Sequence, residues 1–357
     1  MAPPTGEDSA DRDDPDDDGE IGDLPTEPSE VSVAIDEYGE ALADALESAL
    51  AGRSGVVAVG VPLGLLPPVL SARERTTDGA PWRIACRPDA VDALGRAFSL
   101  GTAVAEAVAE GTIALRTVAG DASDDAPADD SGADPAARSL VFATRDRVDA
   151  VAGPRADRTL VSETGDATAA ATLRAAAARF EAATPATLGM PSRDRLLRAA
   201  SETLDDRFAG DLAAILDGLD YGAVGRTGTV TDQTLLVALA ARHDHLFRDL
   251  RRWVDGEGSD GEVAPAADRV AVAPGQELTA DRRALVEREL IESIKVPMGP
   301  GRPKFRLRAV DEALLRATPT EMLSVLRGRF ALPVDEDGRL RRGPGGGGRR
   351  PVWDRKR

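Results

Sequence analysis

The sequence predicts an α/β N-terminal domain, with a mostly parallel sheet and flanking helices, followed by a C-terminal all-α domain of the winged helix-turn-helix type. Two observations lead to this fold class. Short apolar strand patterns alternate with helical patterns over residues 31–190, as in sheets whose parallel strands are joined by helices. Three helical patterns and then a basic hairpin follow over residues 231–309, which is the element order of a winged helix.

The N-terminal domain begins with an amphipathic helical pattern over 31–51. Short runs of apolar strand formers then predict strands at 56–60, 82–86, 112–118, 140–143 and 159–162. Helical patterns between or after these runs predict helices at 90–98, 102–109 and 167–183. The next segment, 191–230, reads as a helical connector that leaves the α/β domain.

The winged helix-turn-helix is predicted to start near Thr231 or Asp232, because either side chain can cap a helix. A second helix is predicted from apolar residues at spacings of three and four, namely Leu246, Phe247, Leu250, Trp253 and Val254. A third helix, over 279–290, runs into two strand-forming runs at 291–296 and 304–307 that flank a Pro/Gly tip. Residues 310–332 read as one or two C-terminal helices.

Three segments are too polar to fold by themselves. Residues 1–30 contain twelve acidic residues and a single basic one, which predicts a disordered acidic leader. The Asp- and Ala-rich stretch 121–137 predicts a disordered insertion by the same argument. The Gly- and Arg-rich stretch 333–357 predicts a flexible basic tail.

Composition indicates the environment of the protein. The net charge is −18, aromatic residues make up 3% of the chain, and lysine occurs only at Lys295, Lys304 and Lys356. This bias resembles proteins of salt-accumulating halophilic archaea, in which surface carboxylates keep the protein hydrated. The single cysteine, Cys86, excludes a disulfide framework within the chain, and no apolar run is long enough to span a membrane. We therefore expect a soluble cytoplasmic protein.

The hairpin reverses the charge of the chain locally, which predicts a contact with nucleic acid. Its candidate DNA-binding residues are Lys295, Gly301, Arg302, Lys304, Arg306 and Arg308. The cations would bind phosphates on the backbone, and the glycine would let the tip approach a groove. The third helix contributes Arg282 and Arg283 as candidates for base or phosphate contact. The alternatives are a surface hairpin with incidental charge and a supporting helix with exposed arginines.

A weaker pattern predicts a small-ligand site in the α/β domain. Residues that follow or end predicted strands could line a crevice at the carboxyl ends of the sheet: Gly60, Gly64, Arg87, Thr144 and Ser162. The glycine spacing lacks the remaining features of a dinucleotide-binding fingerprint, which favours the alternative of an ordinary strand-to-helix turn.

No pattern predicts catalysis or a cofactor. The chain has no G-x-S-x-G, no H-E-x-x-H and no paired C-x-x-C, and Cys86 has no sequence neighbour that would activate it. The two histidines, His243 and His245, lack further metal ligands nearby in sequence, so we interpret them as residues of a helix junction. The sequence therefore predicts neither an enzyme nor a metal site.

Two stretches carry a family resemblance. The hairpin reads K-V-P-x-x-x-G-R-P-x-x-R-L from Lys295, after R-W-V-D-G-E-G at 252–258, and the N-terminal domain contains S-L-V-F-A-T-R-D-R-V-D-A-V-A-G at 139–153. In these features the chain resembles the haloarchaeal TbsP-type transcriptional regulators, which are linked to the control of sugar metabolism alongside the TrmB regulators. Glu289 departs from the pattern, because a glycine usually ends the reading helix at this position.

The resemblance implies a sequence-specific DNA-binding transcriptional regulator of central carbon or sugar metabolism, whose wing and third helix contact promoter DNA. Such modules commonly bind two half-sites, so we expect a homodimer, with a small metabolite as a candidate effector. Two other functions stay open at this point. One is an assembly factor with a protein-binding winged helix, and the other is an α/β small-ligand-binding enzyme with an appended DNA module.

Overall fold

The computed structural model describes residues 38–77, 79–118, 140–154, 157–221, 230–255, 275–297 and 303–331. These residues form an α/β unit followed by a helical unit that carries a β-hairpin, which confirms the predicted fold class. The segments expected to be a leader, an acidic insertion and a basic tail lie outside the described residues. No helix among the described residues is long and apolar enough to cross a membrane.

The N-terminal unit alternates strands and helices in the predicted order. Its elements are α1 (Glu40–Leu50), β1 (Val57–Val61), a 3-10 turn (Leu63–Leu65), α2 (Leu66–Glu74), β2 (Trp82–Cys86), α3 (Pro88–Leu94), α4 (Phe98–Ala109), β3 (Ile113–Thr117), β4 (Val141–Ala143), β5 (Arg147–Ala152), β6 (Thr159–Thr164), α5 (Asp166–Ala182) and β7 (Thr184–Pro185). Every predicted strand corresponds to one of these strands.

The seven strands form one sheet in the order β6-β5-β4-β1-β2-β3-β7. Strands β1, β2 and β3, which run from the centre of the sheet toward β7, pair in parallel. The other four pairings are antiparallel, so the prediction of a mostly parallel sheet holds for the centre only. For β4 and β5 the reason is local, because the short turn that joins them can connect only antiparallel neighbours.

Alternation along the strands gives the sheet two buried faces. On one face Ala58 and Phe142 pack with helices α1 to α4. On the other face Val57 and Val59 pack against α5, whose Phe180 lies in the same cluster. The centre of the sheet is therefore covered by helices on both sides.

One helix and two strands of the α/β unit were not predicted from the sequence, namely α2, β5 and the two-residue strand β7. Helix α2 contains Pro67 and Pro68, which argue against a helix, but both lie in its first turn, where no backbone amide donor is needed. Strand β5 contains Asp149, which is 1% exposed. Its carboxylate accepts from the Arg147 guanidinium at 2.8 Å and from the Ser162 hydroxyl, so its charge is paired inside the sheet.

The C-terminal unit is helical apart from its hairpin. Its elements are α6 (Arg193–Thr203), α7 (Asp206–Gly218), α8 (Asp232–Arg242), α9 (Phe247–Asp255), α10 (Gly275–Glu287), β8 (Ile291–Val296), β9 (Lys304–Ala309), α11 (Glu312–Arg316), a 3-10 turn (Pro319–Glu321) and α12 (Met322–Phe330). Helix α8 is its centre, because every residue from Asp232 to Ala241 is buried.

The segment that we expected to connect the two units is helical in its described part and belongs to the C-terminal core. Leu196 of α6 and Phe208 of α7 lie in the same buried cluster as α8. Phe98 of α4 also joins this cluster. The Tyr221 hydroxyl donates to the Glu74 carboxylate at 2.6 Å, which adds a polar contact between the two units.

Candidate nucleic-acid interface

The start of α8 fixes the position of α10. Thr231 caps α8, and its side chain accepts from the amide of Thr234 at 3.0 Å, as predicted for this residue. Asp281 of α10 is buried, and its carboxylate accepts hydrogen bonds from both threonine hydroxyls. Asp281 interrupts an apolar stripe of α10 in the sequence. In the structure it joins α10 to the capping site of α8.

The two strands of the hairpin form a small sheet, to which a third segment adds a single bridge. Strands β8 and β9 pair in full register from Ile291 opposite Ala309 to Val296 opposite Lys304. Leu246, between α8 and α9, forms a bridge to β9, and the Leu307 amide donates to the His245 carbonyl at 2.9 Å. The chain order is therefore helix, bridge, helix, helix and hairpin, which is the arrangement of a winged helix.

The register divides the hairpin into two faces, because directly opposite residues lie on the same side. The inner face carries Ile291, Ser293 and Lys295 opposite Ala309, Leu307 and Phe305, and of these Ile291, Leu307 and Ala309 are buried. The outer face alternates along β9 as Lys304, Arg306 and Arg308, opposite Val296, Ile294 and Glu292 on β8. In its described part, this outer face therefore presents three cations and one carboxylate.

Two of these cations face a carboxylate from outside the hairpin. Asp244 lies 3.6 Å from the Arg306 guanidinium and 3.5 Å from that of Arg308. Arg308 also lies 3.5 Å from Glu292. The side chains of both arginines and both acids are between 40% and 51% exposed, so these are surface ion pairs of small net stability. A phosphate could replace either carboxylate.

Lys295 is a candidate cation on the inner face, where its ammonium lies 5.7 Å from the Phe305 ring. Its side chain is exposed at the end of β8 nearest the tip. The candidates Gly301 and Arg302 lie outside the described residues.

Arg282 of α10 contacts the rings of two phenylalanines. Its guanidinium lies 4.8 Å from the Phe247 ring and 4.5 Å from the Phe305 ring. It also donates to the Ser293 hydroxyl at 3.1 Å. These contacts join α9, α10 and both strands of the hairpin. The Arg282 side chain therefore packs between the second helix of the winged helix and its hairpin.

Arg283, the neighbouring candidate, is half-buried on α10. Arg288, at the end of the same helix, lies 4.4 Å from the Phe330 ring of α12. Burial lowers the pKa of the Arg288 guanidinium from its ordinary value. Of these two arginines, we keep Arg283 as the candidate for DNA contact.

The two histidines lie where α8 ends and the bridge begins. His243 caps the end of α8, and its Nε2 is 3.0 Å from the Asp211 carboxylate. His245 lies 3.6 Å from Asp205 and packs edge-on against Phe208. Burial lowers the pKa of His245, while Asp205 opposes that shift. The histidines therefore form the helix junction that we expected, and their carboxylate partners come from α7.

The five candidate ligand residues are not brought together. Gly60 and Arg87 lie toward the carboxyl ends of β1 and β2, but Gly64 is buried in the 3-10 turn. Thr144 follows β4, which runs antiparallel to β1, so it lies at the opposite edge of the sheet. Ser162 lies within β6, three strands away from β1. The prediction that these five residues line one crevice at the carboxyl ends of the strands was therefore wrong.

A cleft of about 420 Å³ lies elsewhere, at the amino ends of β2 and β3. Thr76 and Thr112 line it, together with the guanidinium groups of Arg73 and Arg193. Arg73 donates to the carbonyls of Thr76 and Thr112, and Glu74 accepts from Tyr221. These bonds are internal to the protein and occupy the Arg73 guanidinium and the Glu74 carboxylate.

Sequence reasoning missed two acidic residues of the interface. A carboxylate in the apolar stripe of α10 was a visible signal for Asp281, because such a group needs a buried hydroxyl or amide partner. Asp244 had no comparable signal. Its contacts to the wing depend on a left-handed backbone conformation, with φ of 62°, that brings it beside β9.

The element order and the cationic outer face define a winged helix-turn-helix protein with an N-terminal α/β unit. Comparison with known families agrees with this class. Residues 36–191 match the transcriptional regulator TbsP-like N-terminal model, and residues 192–327 match the TbsP-like C-terminal HTH domain model. The chain belongs to the TbsP-like transcriptional regulators. No curated protein matches it, and neither does any solved structure.

Proposed function

We propose that the protein is a sequence-specific transcriptional regulator that binds double-stranded promoter DNA through its winged helix. The observation that carries this proposal is the outer face of the hairpin, where Lys304, Arg306 and Arg308 follow one another in a chain of net charge −18. Phosphates of the DNA backbone are the natural partners of such a row. The HTH domain match supports the same function.

The wing supplies affinity in this proposal. Arg306 and Arg308 exchange the Asp244 carboxylate for phosphate oxygens, which bind guanidinium groups in a bidentate manner. Asp244 then opposes binding twice, because it competes for the arginines and repels the phosphates. Lys295 and Lys304 extend the cationic surface toward the tip.

Helix α10 supplies specificity in this proposal. Arg283 contacts a base edge or a phosphate beside it, while Arg282 holds the helix against the wing. Asp281 fixes the same helix to α8 from the other side. The reading helix is thus held at two points, so one arginine positions it and its neighbour contacts the DNA.

Two finer features complete the proposal. The protein binds as a homodimer, since winged-helix regulators commonly read two half-sites. It controls genes of sugar metabolism, with a small metabolite as effector. Chromatin immunoprecipitation from cells grown with and without sugar tests this part. Discrete peaks that share a motif and change with sugar are expected, and a peakless signal would contradict specific binding.

The contribution of the wing is tested by fluorescence anisotropy with a short duplex of mixed sequence at several salt concentrations. Arg306→Ala should weaken binding and make the slope of log K against log salt shallower by about 0.9, the effect of one lost phosphate contact. Asp244→Asn should strengthen binding. Asparagine also tolerates the left-handed backbone of this position, so this variant should fold.

Matched controls come from the pair between Glu312 and Arg316 on α11, whose side chains are 68% and 77% exposed. Arg316→Ala and Glu312→Gln change the net charge by the same amounts as the two wing variants. Both controls should shift binding less than the wing variants do. Equal effects of Arg306→Ala and Arg316→Ala would mean that only net charge matters, and the proposed role of the wing would be wrong.

A further inference from the structure

Strand β6 forms one edge of the seven-stranded sheet and is exposed along most of its length. Five of its six residues are exposed, and Leu160 is half-buried. Val161 is 54% exposed, which is the highest value among the exposed large apolar side chains of the described residues. The opposite edge strand, β7, has only two residues. The long edge of the sheet is therefore β6.

An edge strand offers unpaired amide and carbonyl groups along its outer side. Within the described part of the chain, β6 pairs with β5 and with no other strand. Its sequence, T-L-V-S-E-T, has no proline, lysine or glycine to discourage further pairing, and Glu163 is its single charge. Proteins commonly protect long edges with such residues, so an unprotected edge of strand formers indicates a partner strand.

We propose that β6 pairs antiparallel with β6 of a second copy of this chain, which makes the sheet continuous across a two-fold axis. The choice of a second copy rests on the proposed function, because two winged helices related by a two-fold axis can read two half-sites. The pairing also removes the exposed edge from both copies at once.

The side chains of β6 fit this self-pairing. An antiparallel ladder with two-fold symmetry places one residue opposite its own copy. With Val161 at the axis, the two exposed valines face each other, Leu160 faces Ser162, and Thr159 faces Glu163. No like charges oppose each other, and each Glu163 carboxylate lies opposite a threonine hydroxyl that can donate to it. We therefore place the axis at Val161.

The oligomeric state of the full chain in the absence of DNA tests the pairing, by light scattering after gel filtration. The wild-type chain should be a dimer. Val161→Glu would place two carboxylates opposite each other at the axis and should raise the dimer dissociation constant at least about tenfold. Val108→Glu is the matched control, because Val108 is an exposed valine on α4, and this variant should stay dimeric.

A cross-linking variant keeps the test decisive if Val161→Glu fails to fold. In Val161→Cys, the two introduced thiols should lie about 5 Å apart across the axis, within reach of a short bis-maleimide. Cys86 is buried and should not react. A covalent dimer is expected for Val161→Cys and not for Val108→Cys.

A monomeric wild-type chain would overturn the pairing, as would a Val161→Glu variant that dimerises as well as Val108→Glu. Absence of a covalent Val161→Cys dimer would overturn the axis at Val161. These outcomes are independent of DNA, so a failure of DNA binding with an intact dimer would count against the proposed function alone.

Discussion

Single residues show which contacts can be predicted from the sequence and which cannot. Thr231 was predicted as a capping residue and caps α8, because capping depends only on residues three positions away. The ring contacts of Arg282 were not predicted, because Phe247 and Phe305 lie 35 positions before it and 23 after it. Such long-range partners leave no local trace in the sequence.

Glu289 is the residue at which a local rule is broken. It follows α10 with a left-handed backbone, φ of 56°, where glycine is normally favoured. Glu289 departs from the family pattern at this position, and the left-handed backbone is the physical reason why a glycine fits the position better. The backbone strain of a side chain in this conformation should destabilise the end of the reading helix.

Glu289→Gly should therefore raise the free energy of unfolding by about 0.5–1 kcal/mol, because glycine adopts this backbone without strain. Urea denaturation measures the change. Glu287→Gly is the control, since Glu287 is the last residue of α10 and has no backbone strain that a glycine would relieve, so this variant should not gain stability. If both variants lost stability, the prediction would be wrong, and contacts of the Glu289 side chain would compensate for the backbone strain.

At the scale of elements, the sequence pattern identified five of the seven strands of the sheet and missed β5 and β7. Strand β5 escaped because Asp149 looks unsuitable for a buried strand until its pairing with Arg147 and Ser162 is known. The antiparallel pairing of β4 and β5 likewise depends on a tight turn that was not recognised. The ligand crevice failed for the same reason, since strand direction decides which residues share an edge.

The arrangement of α9, α10 and the hairpin depends on Arg282. Arg282→Lys should lower the free energy of unfolding by about 1 kcal/mol, because an ammonium cannot stack on two rings and also reach Ser293. It should also speed amide hydrogen exchange in β8 and β9, which a general loss of stability elsewhere would not do selectively. Arg283→Lys is the control for both measurements.

Equal exchange in the two variants would show that the hairpin is held by its apolar residues alone. The same comparison separates positioning from DNA contact. Arg282→Lys should change binding together with hairpin exchange, whereas Arg283→Lys should change binding without affecting exchange, if α10 reads the DNA as proposed.

At the scale of the whole molecule, the sequence predicted an α/β unit and a winged helix, but not how closely they join. The helices expected to connect them are part of the C-terminal core, and Phe98 of the α/β unit enters that core. Glu106 and Glu74 of the α/β unit accept bonds from Asp194 and Tyr221. A bound effector or a second copy could therefore influence the winged helix through packed contacts.

The charge distribution leads to opposite salt responses in one molecule. Self-repulsion at a net charge of −18 destabilises the folded chain, so added KCl should raise the free energy of unfolding in urea. The rise should flatten near 1 M, where the Debye length falls to about 3 Å. A rise that continues undiminished beyond that point would indicate salting-out of apolar surface instead of screening.

DNA affinity should fall over the same range, because binding to phosphates releases counterions. If Lys304, Arg306 and Arg308 each contact one phosphate, log K should fall against log salt with a slope of about −2.7 for each protomer. A much shallower slope would mean that Arg306 and Arg308 stay paired with Asp244 and Glu292 when the protein is bound to DNA. Salt thus stabilises the fold while it weakens the binding of the wing to phosphates. At high salt, sequence selectivity must therefore depend on base contacts made by α10.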